Sequence, residues 1–190
     1  MRKNFGAKPY LYPQPVLIIA TYHEDGTANA MNAAWGCISD QNEITLYLSA
    51  GHKTMENIQR QKDFTVSMAD ADHVVEADYL GIVSANTEHG KVEKAGLHTF
   101  QSEHVHAPLI EEFPLALECR MKSYDHDTER LTGEIINVSA DERILSENGM
   151  IDPAKLNPIS FDAANHAYLG IGSIVGNAFQ DGRKLKNSNQ

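Results

Sequence analysis

The stretches PLALECRMKSYD (114–125) and RLTGEIINVSAD (130–141) are long strand-like runs separated only by the short acidic turn HDTE. Strands this close in sequence pair antiparallel, because a parallel pair needs a crossover of a dozen residues or more. Other strand-like runs accompany them. PVLIIATY (15–22) is dense in β-branched residues, ITLYL (44–48) alternates, and FTVSMA (64–69) follows. In ITLYL, Ile44, Leu46 and Leu48 share one face and Thr45 and Tyr47 the other. Asp25-Gly26 marks a turn, after which AMNAAWGCIS continues extended. Helical patterning is confined to about residues 53–61 and to HVVEADYLGIVS, where Val74, Val75, Leu80 and Ile82 form the expected buried stripe. Seven or so strands broken by two short helices do not fit the βαβ alternation of a parallel sheet. They predict a mainly β protein, an antiparallel barrel with short helical insertions.

The chain of 190 residues shows no repeat, low-complexity segment or linker, so residues 1–190 are expected to form a single domain. Its 26 Asp plus Glu against 16 Lys plus Arg argue against a nucleic-acid surface, which needs a basic stripe. No apolar stretch resembles a secretory signal or a membrane span, and a cytoplasmic protein is expected. Cys37 and Cys119 both sit in strand-like stretches and read as buried free thiols rather than a disulfide framework. The glycine-spaced tail AYLGIGSIVGNAFQDG (167–182) is expected to pack onto the barrel.

Chemistry concentrates where ITLYL gives way to the first helix, in SAGHKTMENI (49–58). A helix start leaves backbone N–H groups without partners and carries partial positive charge. It suits an anion when a cation and hydroxyls stand beside it. Lys53 supplies the charge, Ser49 and Thr54 supply hydroxyls, His52 can donate, and Gly51 lets the backbone turn sharply. Taken alone, the stretch reads first as a solvated turn capped by Thr54, since caps are common. No GxxxxGK[ST] pattern points to a nucleoside triphosphate.

The run TANAMNAAWGCIS is poor in large side chains and carries Asn29, Asn32 and Trp35; Ala and Asn form strands weakly, so they need another reason. Small side chains would let a flat ring lie against the backbone, and a close neighbour demanding alanine explains them equally well. Ser84, Asn86, Lys91 and Lys94 follow the second helix and on their own read as a solvated loop. Trp35 and Tyr168 are expected in the core. His104-x-His106 is expected to place both imidazoles on one face of a strand, a zinc pair only with ligands from elsewhere. With neither HExxH nor CxxC present, no metal is expected. The absence of GxSxG and GxGxxG argues against an esterase-type hydrolase and a Rossmann domain.

Taken in order, PVLIIATYHEDGTANAMNAAW, HKTMENI, YLGIVSANTEHGKVEKAGL, APLIEEFPLALEC, TGEIINVSADE, NGMIDPAKLNPISFD and LGIGSIVGNAF carry a resemblance. From about Pro13 to Gly182 the chain resembles the flavin reductase-like family with the FMN-binding split barrel, on its flavoredoxin branch. The resemblance implies a split antiparallel β-barrel and a homodimer with FMN near the dimer interface. It implies that Asn29, Ala30, Met31 and Asn32 run beside the isoalloxazine, with backbone atoms reading its polar edge. Ser49, His52, Lys53 and Thr54 would help hold the phosphate, with Lys53 ahead of His52 as the bearer of charge. Ser84 and Lys91 would approach the flavin. The anion-site reading of HKT is thereby favoured.

FMN would carry the redox chemistry, so no catalytic side chain is expected. Members that turn over NADH often carry Gly-Asp-His where this chain has Tyr124-Asp125-His126, which leaves NAD(P)H and a protein donor as the two electron sources. The expected function is an FMN-binding oxidoreductase. The alternatives are an electron carrier without NAD(P)H activity and a non-catalytic flavin-binding or scaffold barrel.

Overall fold

In the computed structural model, which describes residues 1–187, seven strands form one antiparallel sheet. They are β1 (Leu17–Tyr22), β2 (Ala28–Ala33), β3 (Gly36–Asp40), β4 (Glu43–Tyr47), β5 (Asp63–Met68), β8 (Leu115–Asp125) and β9 (Arg130–Ala140). Two small hairpins complete the strands: β6 (Thr99–Gln101) with β7 (Pro108–Ile110), and β10 (Ile159–Asp162) with β11 (Ala167–Gly170). The helices are α1 (Lys53–Gln61), α2 (Val74–Ile82), α3 (Lys91–Lys94), α4 (Pro153–Leu156) and α5 (Arg183–Asn187).

Across the large sheet the order is β2-β1-β5-β8-β9-β4-β3. Strands β2 and β3 are consecutive, linked only by Ala34 and Trp35, yet they form opposite edges. Three Cα steps from Ala33 to Gly36 span at most ~11 Å. A flat sheet would hold those edges ~29 Å apart at ~4.8 Å per gap. The sheet therefore curls until its edges approach, and the barrel is split there.

Strand β1 is apolar on both faces because two cores claim it. Leu17 and Ile19 join Leu46, Phe64, Val66, Leu117 and Leu131 inside the barrel, where Met55 and Ile58 of α1 also pack. Ile18 and Ala20 belong to an outer cluster with Ala77 and Leu80 of α2, Val92, Ile110 and Phe113. Helix α1 covers the predicted residues and ends at Lys62, whose left-handed backbone (φ 68) lets its N–H reach the Ile58 carbonyl. The β8–β9 hairpin runs from Leu115↔Ala140 to Asp125↔Arg130, with register shifts near Cys119 and Met121. In its turn the Asp125 side chain accepts the N–H groups of Asp127 and Thr128.

Several expectations change. AMNAAWGCIS breaks at Ala34-Trp35, because β2 pairs with β1 whereas β3 pairs with β4. Cys37 is exposed rather than buried, since β3 is an edge strand; Cys119 is buried, and burial pushes its thiol up to about 12. Helix α2 buries Ala77 and Leu80, while Val75 and Ile82 are 73% and 74% exposed. Its apolar residues sit all around the helix, and packing on β2 selects the small-residue face. Residues 171–186 are exposed instead of packing on the barrel, their apolar side chains scattered between glycines without a common face. His104 and His106 lie in the bend between β6 and β7 rather than in a strand. Ser102 Oγ accepts the N–H groups of His104 and Val105, both at 3.0 Å, and closes that turn.

Gly133 on β9 faces the barrel interior, where an added Cβ would stand 2.5 Å from Phe64 Cζ. Phe64 is fully buried and has no room to yield. Gly133→Ala is expected to cost about 1–3 kcal/mol in urea unfolding, with part of the loss recovered in the Gly133→Ala/Phe64→Leu double variant. Equal stability of wild type and Gly133→Ala would show that the interior is looser than this packing requires.

Candidate functional site

Helix α1 begins at Lys53 and no side chain caps it. His52, the capping position, has an extended backbone (φ −78, ψ 134) but makes no cap hydrogen bond. Its carbonyl accepts the N–H groups of Met55 at 2.9 Å and Glu56 at 3.1 Å. The N–H groups of Lys53 and Thr54 come too early in the helix for an intrahelical partner, so this end stays open to an anion. The turn before it is shaped by His52 N–H donating to the Ser49 carbonyl at 3.1 Å. Lys53 Nζ lies 2.7 Å from Glu56 Oε2. Thr54, expected as the cap, is the second helical residue and only 2% exposed; its Oγ1 accepts a hydrogen bond from Asn29 Nδ2 at 2.8 Å.

The facing wall is the end of α2 and the loop that follows. Lys91, 2% exposed, donates to the carbonyls of Leu80 at 2.9 Å and Val83 at 2.8 Å, satisfying acceptors that a helix end leaves open. Burial lowers its pKa to about 8. Ser84 Oγ accepts the Asn86 N–H, and Asn86 Nδ2 donates to the Gly51 carbonyl at 3.0 Å, joining this loop to the turn before α1. Strand β2 forms the third side, where Asn32 Nδ2 donates to the Ala77 carbonyl at 2.9 Å. Gly81 permits that approach, since a Cβ there would stand 3.2 Å from Asn32 Cβ.

These elements border a cavity of ≈ 170 Å³ that gathers Met31, Asn32, His52, Lys53, Thr54, Ser84 and Lys91. It adjoins a wider cleft of ≈ 330 Å³ lined also by Ala33, Ala34, Trp35, Tyr47, Asp78, Phe161 and Tyr168. Met31, Asn32, His52, Gly81 and Ile82 border both. Asn29 and Ala30 are fully buried and lie outside both linings, as does Ser49. Trp35, expected in the core, is 51% exposed because it stands at the break between β2 and β3. Tyr168 is half-buried and borders the cleft. Its hydroxyl donates to Asp78 Oδ1 at 2.8 Å, and burial together with that carboxylate pushes the phenol up to about 12. A separate cavity of ≈ 320 Å³, between the β6–β7 hairpin and β8–β9, is bordered by His104 but by none of Ser49, His52, Lys53 and Thr54. Among the described residues no group of His, Cys, Asp and Glu side chains is arranged to hold a metal ion.

Residues 10–157 match the flavin reductase like domain. The chain belongs to the flavin reductase-like family. Flavoredoxin of Desulfovibrio vulgaris (Miyazaki F) is 34% identical to it, with a TM-score of 0.91 over 96% of this chain and 100% of that one. Flavoredoxin from Methanosarcina acetivorans is 28% identical, with a TM-score of 0.85 over 97% and 99% of the two chains. YdfE, an uncharacterised Bacillus subtilis (strain 168) protein, is 24% identical over 94% of this chain and 93% of its own. The fold of this family member is accordingly the split barrel.

Sequence reasoning missed Tyr47, Asp78, Gly81 and Phe161 as wall residues. Only Gly81 left a cue, as a glycine inside a helical pattern. Lys91 supplies a test of the wall. Its ammonium is penalised in the folded state, with a pKa of about 8 against 10.5 when unfolded. Below pH 8 both states carry the proton; between about 8 and 10.5 the unfolded chain holds more, so Lys91 makes stability rise with pH there. Urea unfolding at pH 7.5 and 9.5 should show wild type gaining on Lys91→Met at the higher pH. A constant difference between the two proteins would contradict burial of the charge.

Proposed function

We propose that this chain binds FMN in the joined clefts and works as an FMN-dependent oxidoreductase of the flavin reductase and flavoredoxin type. The observation that carries the reading is the uncapped start of α1, with Lys53 and Thr54 beside it, opening into a cleft walled by an alanine- and asparagine-rich edge strand. The two cavities bracket the lower range of small-molecule sites, ~300–1,000 Å³. The donor set fits the cofactor. Lys53, Thr54 and the first N–H groups of α1 would hold the phosphate, through charge-assisted hydrogen bonds. Met31 to Ala33 lie on the edge strand β2, whose outward N–H and C=O groups pair with no further strand and suit the polar edge of a ring. When bound, FMN supplies the redox chemistry. The chain's own residues bind and orient it: Lys91 holds the α2 end in place, Asn32 ties β2 to that helix, and Trp35 and Tyr168 flank the wider opening.

Electrons would come from NAD(P)H or from a redox protein. The 34% identity to a flavoredoxin favours the second source, in which the protein is an electron carrier without NAD(P)H activity of its own. Purified protein is expected to be yellow. Bleaching of the flavin band on anaerobic addition of NADH or NADPH would support the reductase, and an unchanged spectrum would support the carrier. Lys53→Ala should weaken FMN binding about tenfold and leave riboflavin binding nearly unchanged. A colourless protein that fails to take up added FMN would overturn the proposal.

Pairing of two copies belongs to the same reading. Trp35, Ile38, Tyr47, Ile136, Val138, Ile174 and Phe179 are exposed, and large exposed apolar side chains suit a face that a second copy would cover. Light scattering on the purified protein is expected to give twice the 21.0 kDa chain mass; a monomer at micromolar concentration would remove this part. No described helix is long and apolar enough to cross a membrane. Both cysteines are unpaired, which suits a reducing cytoplasm.

A further inference from the structure

Behind the anion site lies a layer of buried polar side chains that does not touch the cleft. Asn29 is 0% exposed, and its Nδ2 donates both to Thr54 Oγ1 at 2.8 Å and to Thr21 Oγ1 at 3.2 Å. Asn57, also buried, donates to the same Thr21 oxygen at 3.1 Å. A hydroxyl can accept from one side while donating from the other. Thr54 Oγ1 takes part in one hydrogen bond among the described residues, and in that bond it accepts. Its own hydrogen has no acceptor among the described residues, and Thr54 borders the cavity that Lys53 also borders. The other half of the Asn29 amide is not engaged, since Asn29 Oδ1 is buried without a partner. An unpartnered buried carbonyl costs free energy.

We propose that Asn29 is a positioning residue that, by donating to Thr54 Oγ1, presents the Thr54 hydroxyl hydrogen to the phosphate of the bound flavin nucleotide. The inference rests on the FMN reading above and concerns only the phosphate end. Asn29 acts from beneath the strand rather than on the ring edge, and its effect is confined to ligands that carry a phosphate.

The test is a comparison of FMN with riboflavin, which lacks the phosphate, in fluorescence titrations of the full-length apo-protein. Wild type should prefer FMN. Asn29→Asp, nearly isosteric and acceptor-only when ionised, draws the Thr54 hydrogen onto itself. It should lower the FMN-over-riboflavin preference at least about tenfold, with riboflavin affinity unchanged. Asn29→Ala should lower the preference by a similar factor in the wild-type background. It should have no further effect on that ratio in a Thr54→Val background, and Thr54→Ser should retain the preference. If Asn29→Ala fails to fold, Asn29→Asp with the two Thr54 variants carries the test. Equal weakening of FMN and riboflavin by the Asn29 variants would reduce Asn29 to a structural role and overturn the proposal. So would a phosphate-specific loss that persists in Thr54→Val. A wild-type protein that binds FMN no better than riboflavin overturns it while leaving flavin binding intact. One that binds neither removes the FMN reading as well.

Discussion

Everything in this molecule follows from a two-residue link between strands that belong to opposite edges of one sheet. Ala34 and Trp35 cannot bridge a flat sheet of seven strands, so curvature is imposed by covalent connection. That curvature encloses the Leu46, Phe64 and Leu131 core, with α1 packed into it through Met55 and Ile58. It also leaves β2 with one side unpaired, facing α2 and the start of α1. The cleft lies beside the place where the barrel fails to close, and the same break that makes it puts Trp35 at its rim.

The cleft is held by polar side chains that reach backbone carbonyls. Lys91 satisfies two carbonyls at the end of α2, Asn32 reaches the Ala77 carbonyl, and Asn86 reaches that of Gly51. The Asn32 and Asn86 bonds tie one wall to another, and the buried or half-buried bonds of Lys91 and Asn32 fix geometry because their rupture strands a desolvated group. Gly81 removes the steric obstacle that would keep α2 from β2. A loosely packed loop would bring the same residue types together without holding them in place.

Much of this was legible in the sequence, and the failures have physical causes. Strand positions, α1 and the HKT turn followed from apolar periodicity and from residue types suited to helix starts. Met31, Asn32, His52, Lys53, Thr54, Ser84 and Lys91, far apart in the chain, do border one cavity. What periodicity could not reveal was which face of α2 would be buried, because that helix is apolar all around and β2 admits only Ala77 and Leu80. Nor could it reveal that AMNAAWGCIS changes sheet edges midway, since both halves are extended and a strand break carries no composition signal. Burial of Trp35 and Cys37 was misjudged for that reason. Thr54 looked like a cap because caps and anion sites draw on the same residue types; its place as the second helical residue and its bond from Asn29 exclude the cap.

The pair formed by Lys53 and Glu56 gives the helix start a property beyond the presence of a cation. An exposed i,i+3 pair contributes little to stability, of the order of ~0.5 kcal/mol. Its carboxylate nevertheless lies 2.7 Å from the lysine ammonium. Glu56 is in effect an internal anion that any incoming one must displace from Lys53. An anion binding at this helix start would meet a lysine whose charge is already partly neutralised, a cost of the same ~0.5 kcal/mol.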